Sequence, residues 1–151
     1  MYVLPDAYEG NAVILFDQPG GAPTEYSAGY RVYRIPPNGI LKTTSKSDHG
    51  GFAVIKFCYA SRFQGVGPTP NNAYLPYVNA LRPTTSKLAT TTIVAFNYGG
   101  FTQSQAHIDI FSVSRVAKAD SIFEHREALV DQVLPPFPPE ADSLDAPPRK
   151  P

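Results

Sequence analysis

The sequence has little cysteine, no net charge and no long apolar run, and each of these absences limits what the protein can be. Cys58 is the single cysteine among 151 residues, which rules out an internal disulfide but leaves the compartment open. Basic and acidic side chains both number 13, so the net charge is zero. Because nucleic-acid binders normally carry a basic excess that neutralises phosphates, we expect no nucleic-acid partner.

Long apolar runs are missing as well. No stretch approaches the roughly 18 apolar residues of a spanning helix, so no membrane span is expected. The segment from Met1 to Pro5 has neither the charged region nor the long apolar region of a signal peptide. Met1 is compatible with a natural start and with a start that replaces a leader, including a leader that carries a lipid anchor.

Proline, glycine and aromatic residues are abundant instead, with 16 Pro, 11 Gly, 9 Tyr and 9 Phe. Hydrophobic residues make up 42% of the chain and charged residues 17%, which is the balance of a packed domain. Short apolar or alternating runs between the prolines and glycines indicate strands. The predicted strands cover 11–17, 29–35, 40–43, 52–59, 90–98 and 107–116, with an edge strand near 74–78.

Turn chemistry connects these strands. Pro36 to Gly39 reads as a tight turn, so residues 29–43 are predicted to form a hairpin. Gly99 and Gly100 are predicted to end the strand before them. These patterns together predict an antiparallel β-sandwich of six to eight strands with Greek-key character.

The hydrophobic period changes after the last strand. Ile122, Leu129 and Val133 share one side of a helical wheel, which predicts one C-terminal α-helix over about 121–133. Ser121 and Glu124 fit a capping box at its start. Residues 135–151 contain seven of the 16 prolines and are predicted to be a disordered tail outside a single domain of residues 2–134.

Candidate chemistry is sparse. His107 and Asp109 lie two apart on a predicted strand and therefore share a face, but no nucleophile accompanies them. Solvent-facing polar positions on a half-exposed sheet explain the pair better than catalysis. The loop from Asp48 to Gly51 has too few ligands for a metal. Cys58 in its apolar strand is predicted to be buried and inert. No catalytic residue, metal site or cofactor is predicted.

A long connection from residue 61 to residue 88 is the leading candidate for function. It has no clear period, and connections of such length are usually functional or mobile. Tyrosine and asparagine suit recognition surfaces, because aromatic area comes with adaptable hydrogen bonding. Equally, the tyrosines could fasten the loop to the sheet. The candidate binding residues are Asn71, Asn72, Tyr74, Tyr77 and Asn79.

Two motifs near the N-terminus follow one another in order. The first is Leu4-Pro5-Asp6-Ala7-Tyr8-Glu9-Gly10, and the second runs from Gly29 to Thr44 (GYRVYRIPPNGILKTT). Together they resemble an uncharacterised bacterial domain family, DUF6843, found on many secreted or lipid-anchored proteins. Thr44 departs from the serine that is frequent there in the family. The opening also looks like the prealbumin-type β-sandwich of carboxypeptidase regulatory-like domains.

The resemblance implies a periplasmic, secreted or envelope-anchored location and no established activity; a cytoplasmic location stays open. The leading hypothesis is a non-enzymatic extracytoplasmic module that binds a protein partner or an envelope component. An immunity-type protein that blocks a toxin is a narrower form of it. One alternative is a small hydrolase using His107 and Asp109, and another is a structural subunit that assembles through strand edges.

Overall fold

The computed structural model describes residues 1–47, 55–65, 70–78, 89–103 and 106–134. Within them the chain forms nine strands, three short 3-10 turns and two short α-helices. The strands are β1 (Tyr2–Leu4), β2 (Gly10–Leu15), β3 (Glu25–Ser27), β4 (Tyr30–Arg34), β5 (Ile40–Lys42), β6 (Phe57–Tyr59), β7 (Tyr77–Val78), β8 (Ile93–Gln103) and β9 (Ala106–Arg115). The helices are α1 (Ala119–Glu124) and α2 (Arg126–Val133).

The strands form two sheets. Sheet A has the order β3-β4-β1-β6, and sheet B has the order β5-β2-β9-β8-β7. The predicted fold class, a mainly β sandwich with a C-terminal helix, is confirmed. The strand directions are mixed rather than purely antiparallel, because β1 runs parallel to both of its neighbours and β5 and β7 join sheet B as parallel edges.

An aromatic core fills the space between the sheets. Tyr2 of β1 lies at its centre, with ring centroids 5.3 Å from Tyr33, 5.1 Å from Phe57 and 5.1 Å from Phe111. The first two of these rings belong to sheet A, and Phe111 belongs to sheet B. The hydroxyl of Tyr2 donates a hydrogen bond to Oδ2 of Asp109 on sheet B at 2.8 Å. One side chain therefore joins the two sheets through both ring packing and a hydrogen bond.

The helices cover the other face of sheet B. Leu129, Val130 and Val133 of α2 pack with Leu134 on a cluster that includes Val13. Phe123 of α1 packs on a second cluster formed by Val94, Phe96, Val116 and Ala119. Leu129 and Val133 of the predicted apolar side therefore pack on the sheet, whereas Ile122 belongs to neither cluster. None of the helices in the described ranges is both long enough and apolar enough to cross a membrane.

The C-terminal helix differs from the prediction in its boundaries. It is two short helices separated at His125, where φ is −89° and ψ is 4°. The predicted capping box is wrong: α1 begins at Ala119, directly after a 3-10 turn over Val116–Lys118, so Ser121 already lies inside the helix. The predicted tail, residues 135–151, lies outside the described residues.

The predicted hairpin over residues 29–43 is wrong. The turn exists, because the amide of Gly39 donates to the carbonyl of Pro36 at 2.9 Å and Gly39 has a φ of +77°. However, β4 belongs to sheet A and β5 pairs in parallel with β2 of sheet B. The turn therefore carries the chain from one sheet to the other.

A two-residue hairpin instead joins β3 to β4. Its turn is Ala28-Gly29, and both residues have positive φ values, 48° and 80°, as a type I′ turn requires. The prediction that β8 ends at Gly99 is also wrong, because the strand passes through both glycines to Gln103. A register shift between Phe96 and Gly99 marks a β-bulge, and directly after it both glycines pair with β9. Residues 52–54 of the predicted strand 52–59 lie outside the described residues.

The two motifs that resemble DUF6843 meet at the crossover turn. Tyr8, from the first motif, donates its hydroxyl to the carbonyl of Asn11 at 2.5 Å, and burial raises its pKa to about 12. Gly39, from the second motif, is buried against both residues. A Cβ at position 39 would collide with the Asn11 carbonyl and lie 2.6 Å from the Tyr8 hydroxyl. These motif residues therefore act as scaffold.

Substituting Gly39 tests this arrangement. We expect Gly39→Ala to lower the free energy of unfolding by at least about 3 kcal/mol, since it adds a collision to a left-handed backbone. Gly20→Ala is the matched control, because Gly20 has a φ of +75° but nothing within 4 Å of its added Cβ. It should cost about 1–2 kcal/mol. Urea unfolding at neutral pH measures both, and equal losses would contradict the proposed contact between the motifs.

Candidate functional site

The described part of the predicted binding connection covers the outer face of sheet A. Two 3-10 turns lie in it, over Ala60–Arg62 and Asn71–Ala73. Asn71 and Asn72 are exposed in the second turn, as expected of recognition residues. The turn is held by a hydrogen bond from the amide of Ala73 to the carbonyl of Pro70 at 2.9 Å.

Apolar contacts fasten this connection to the sheet. Phe63 and Tyr74 pack on a cluster formed by Met1, Val3, Val32 and Cys58, which point away from the inter-sheet core. Tyr74 also forms an isolated antiparallel bridge with Cys58. The thiol lies beneath this layer, and burial raises its pKa. The structure therefore supports the fastening role for Tyr74, one of the two interpretations of the loop tyrosines.

Two cations lie against aromatic rings on the same face. Nζ of Lys56 is 4.8 Å from the ring centroid of Tyr30 and 4.6 Å from that of Tyr74. A side-chain hydrogen bond with Tyr30 is the main cause that raises the pKa of Lys56. The guanidinium of Arg34 is 4.9 Å from the ring centroid of Phe63. Such contacts are worth about 0.5–1 kcal/mol at exposed sites, so they help to order this layer.

An open concavity of about 400 Å³ lies between the two 3-10 turns, and we call it the polar concavity. Its lining residues are Ser61, Arg62, Gln64, Pro70, Asn72 and Ala73. The planar guanidinium of Arg62 offers several hydrogen-bond donors. The side-chain amides of Gln64 and Asn72 offer both donors and acceptors. This set can hydrogen-bond peptide groups and carboxylates on another molecule.

An acidic side chain fixes one edge of the polar concavity. The amide of Ser61 donates to Oδ1 of Asp6 at 3.0 Å. This bond lowers the pKa of Asp6, with a smaller contribution from the charge of Arg62. Asp6 belongs to the first motif of the family resemblance, so the motif also positions the start of the candidate surface.

The remaining predicted binding residues lie elsewhere. Tyr77 is in β7 at the edge of sheet B, and its ring stacks on Phe57 at 5.8 Å on the inter-sheet side. It therefore contributes to the core and not to the polar concavity. Asn79 lies outside the described residues. The structure brings together Asn71, Asn72 and Tyr74, and it separates them from Tyr77.

His107 and Asp109 share a face of β9, as their spacing predicts, but the expectation that both face solvent is wrong. Asp109 is 4% exposed, because its face of the strand lines the inter-sheet core. It accepts the hydrogen bond from Tyr2, whereas Nδ1 of His107 lies 2.9 Å from the hydroxyl of Thr102.

A second concavity, of about 410 Å³, opens between the sheets beside β4 and β5. Its lining is more apolar and includes Val32, Tyr33 and Leu41. Glu25 and Arg34 also line it and form an ion pair, with Nε and Nη2 each bonded to one carboxylate oxygen at 2.8 and 2.7 Å. In the part of the chain that is described, no three His, Cys, Asp or Glu residues lie close enough to hold a metal ion.

Sequence reasoning did not single out Lys56 and Arg62 as parts of the surface. A lone lysine inside the apolar, aromatic run FAVIKFCY was the available signal, since a cation on such a strand favours contact with a ring. Arg62 follows the strand by three residues, and only the fold shows that Asn72 comes opposite it.

Residues 1–62 match the model of a family of unknown function, DUF6843. The match includes both motifs quoted above, so the predicted resemblance is confirmed. The chain is also similar to a 2.75 Å crystal structure of a "putative lipoprotein from Bacillus anthracis", with 16% identity and a TM-score of 0.43. That similarity covers 76% of this chain and 68% of the other. The sequence matches no curated protein.

The fastening role of Tyr74 gives a direct prediction. We expect Tyr74→Ala to lower the free energy of unfolding by about 2 kcal/mol, less than the ~3–5 kcal/mol of a fully buried ring. It should also uncover Cys58, so the thiol should react faster with an aromatic disulfide reagent under native conditions. Tyr26→Ala is the control, because Tyr26 is 64% exposed, and it should change stability by less than about 0.5 kcal/mol. Unchanged thiol reactivity in the Tyr74 variant would show that Tyr74 does not close this layer.

Proposed function

We propose that this protein is a non-enzymatic binding module that recognises a protein partner through the polar concavity. The observation that carries the proposal is the division of roles in the 60–74 connection. Phe63 and Tyr74 are fixed on the sheet, while Asn71 and Asn72 remain exposed beside Arg62. Because aromatic contacts already order the backbone next to these groups, binding has to order less backbone than it would in a loose loop, which favours affinity.

The location proposed for this module is extracytoplasmic. Support comes from the family match over residues 1–62, because the resemblance implies secreted or envelope-anchored proteins. The polar concavity presents exposed hydrogen-bonding groups next to residues that pack on the sheet. Such a surface is compatible with a partner at the envelope, including a toxin blocked by an immunity-type protein. Co-purification with the product of a neighbouring toxin gene is the test of that narrower form.

Deleting the connection is a poor test, because Leu75 donates its amide to the carbonyl of Phe57 and Tyr77 packs in the core. Site-specific photo-crosslinking avoids this problem. A photoreactive phenylalanine analogue at Asn72 should give one discrete adduct with envelope extract of the native host. The same analogue at Asp131, which is exposed on α2 away from the concavity, is the control.

The adduct should also disappear when Arg62→Ala is combined with the reactive residue at Asn72. Urea unfolding checks that Arg62→Ala still folds. Its free energy of unfolding should equal that of the parent, because Arg62 is exposed. Identical adducts from positions 72 and 131, or an adduct that survives Arg62→Ala, would contradict recognition through the polar concavity.

A further inference from the structure

Arg126 differs from the other described arginines whose contacts are known. Arg34 forms the two-bond ion pair with Glu25, and Arg115 contacts Oε1 of Glu9 at 2.9 Å. By contrast, Nε of Arg126 is buried, and it has no hydrogen-bond acceptor in the part of the chain that is described. A buried donor without an acceptor is costly and calls for a specific explanation.

The position of Arg126 explains how its side chain comes to be buried. It is the first residue of α2, where the helix packs on the face of sheet B that holds Gly99. Nη2 of Arg126 is 3.8 Å from the place that a Cβ on Gly99 would occupy. The missing side chain at Gly99, which directly follows the β8 bulge, thus leaves room for the guanidinium against the strand.

The local electrostatics leave this cation poorly compensated. Desolvation lowers the pKa of Arg126, and the nearby acid that opposes this effect is Glu127, the next residue along the chain. Glu127 is exposed, so its charge is screened by solvent. The residue as a whole remains partly exposed although its Nε is not, so the guanidinium lies at the boundary between protein and water.

A partly desolvated guanidinium that contacts no carboxylate within the described residues can bind an oxyanion. Charge-assisted bonds to carboxylate or phosphate are stronger than neutral ones, and the planar fork fits either group with two bonds. Folding has already removed part of the water around Arg126. An anion therefore binds this arginine with a more favourable free energy than it binds a fully solvated one.

We propose that Arg126 is one half of an oxyanion-binding contact, whose carboxylate or phosphate is carried by a molecule outside this chain. The site lies between the start of α2 and the β8 bulge, on the helical side of sheet B. It is independent of the polar concavity, which lies on the outer face of sheet A, so either proposal can fail alone.

The side-chain Nε–Hε resonances of the arginines test this proposal in the intact protein by NMR. Sodium acetate and inorganic phosphate are titrated separately at constant ionic strength, with chloride as the balancing anion. The Arg126 resonance should shift saturably in the millimolar range with at least one of them, and which anion acts distinguishes carboxylate from phosphate. Arg34 is the internal control, because its Nε already donates to Glu25, and its resonance should not saturate.

A second measurement uses the thermal midpoint. Phosphate stabilises most proteins non-specifically, so the informative quantity is the difference between variants. Arg126→Lys keeps the charge but loses the fork, and it should lose part of the anion-dependent rise in midpoint that the parent and Arg115→Lys retain. Absence of a saturable Arg126 shift in both anions, or equal shifts at Arg126 and Arg34, would overturn the proposal.

Discussion

The contact between Tyr2 and Asp109 is the constraint around which the rest of the structure is arranged. It lies between the two sheets, surrounded by Tyr33, Phe57 and Phe111. A hydroxyl and a carboxyl buried among aromatic rings are costly unless they are hydrogen-bonded, so the bond from the Tyr2 hydroxyl to Oδ2 of Asp109 favours one alignment of β1 against β9. β1 in turn holds β4 and β6 beside it as parallel neighbours.

From this centre the two faces of the molecule acquire different roles. The outer face of sheet A is covered by residues 60–65 and 70–74, which aromatic side chains fasten to the sheet and which leave Asn71, Asn72 and Arg62 exposed. The helices pack on the outer face of sheet B, and there the missing side chain of Gly99 leaves room for Arg126. The motifs that match the family hold the crossover between sheets through Tyr8 and Gly39, so they mainly specify the framework. Only Asp6, among the motif residues discussed above, also contacts the polar concavity, through the amide of Ser61.

Local chemistry made much of this fold predictable from sequence. The strands β2, β4 and β9 were predicted to within a few residues. An apolar run, an alternating pattern and the turn residues that border a strand are all local signals. Sheet membership was not predictable in the same way. A Pro-x-x-Gly turn can close a hairpin or carry the chain to another sheet, and the choice depends on the non-local pairing of β5 with β2. β1 and β3, each three residues long, carry too few residues to show a period.

The candidate surface was predictable only in part. Composition identified Asn71 and Asn72 as candidate binding residues. By contrast, the burial of Asp109 and the lack of an acceptor for Nε of Arg126 within the described residues depend on which residues the sheets bring opposite them. A double-mutant cycle with Tyr2→Phe and Asp109→Ala, followed by urea unfolding, tests the central contact most directly. Removing both partners should cost less than the sum of the single losses, by a coupling energy of about 1–3 kcal/mol. A coupling energy near zero would contradict the claim that this contact joins the sheets.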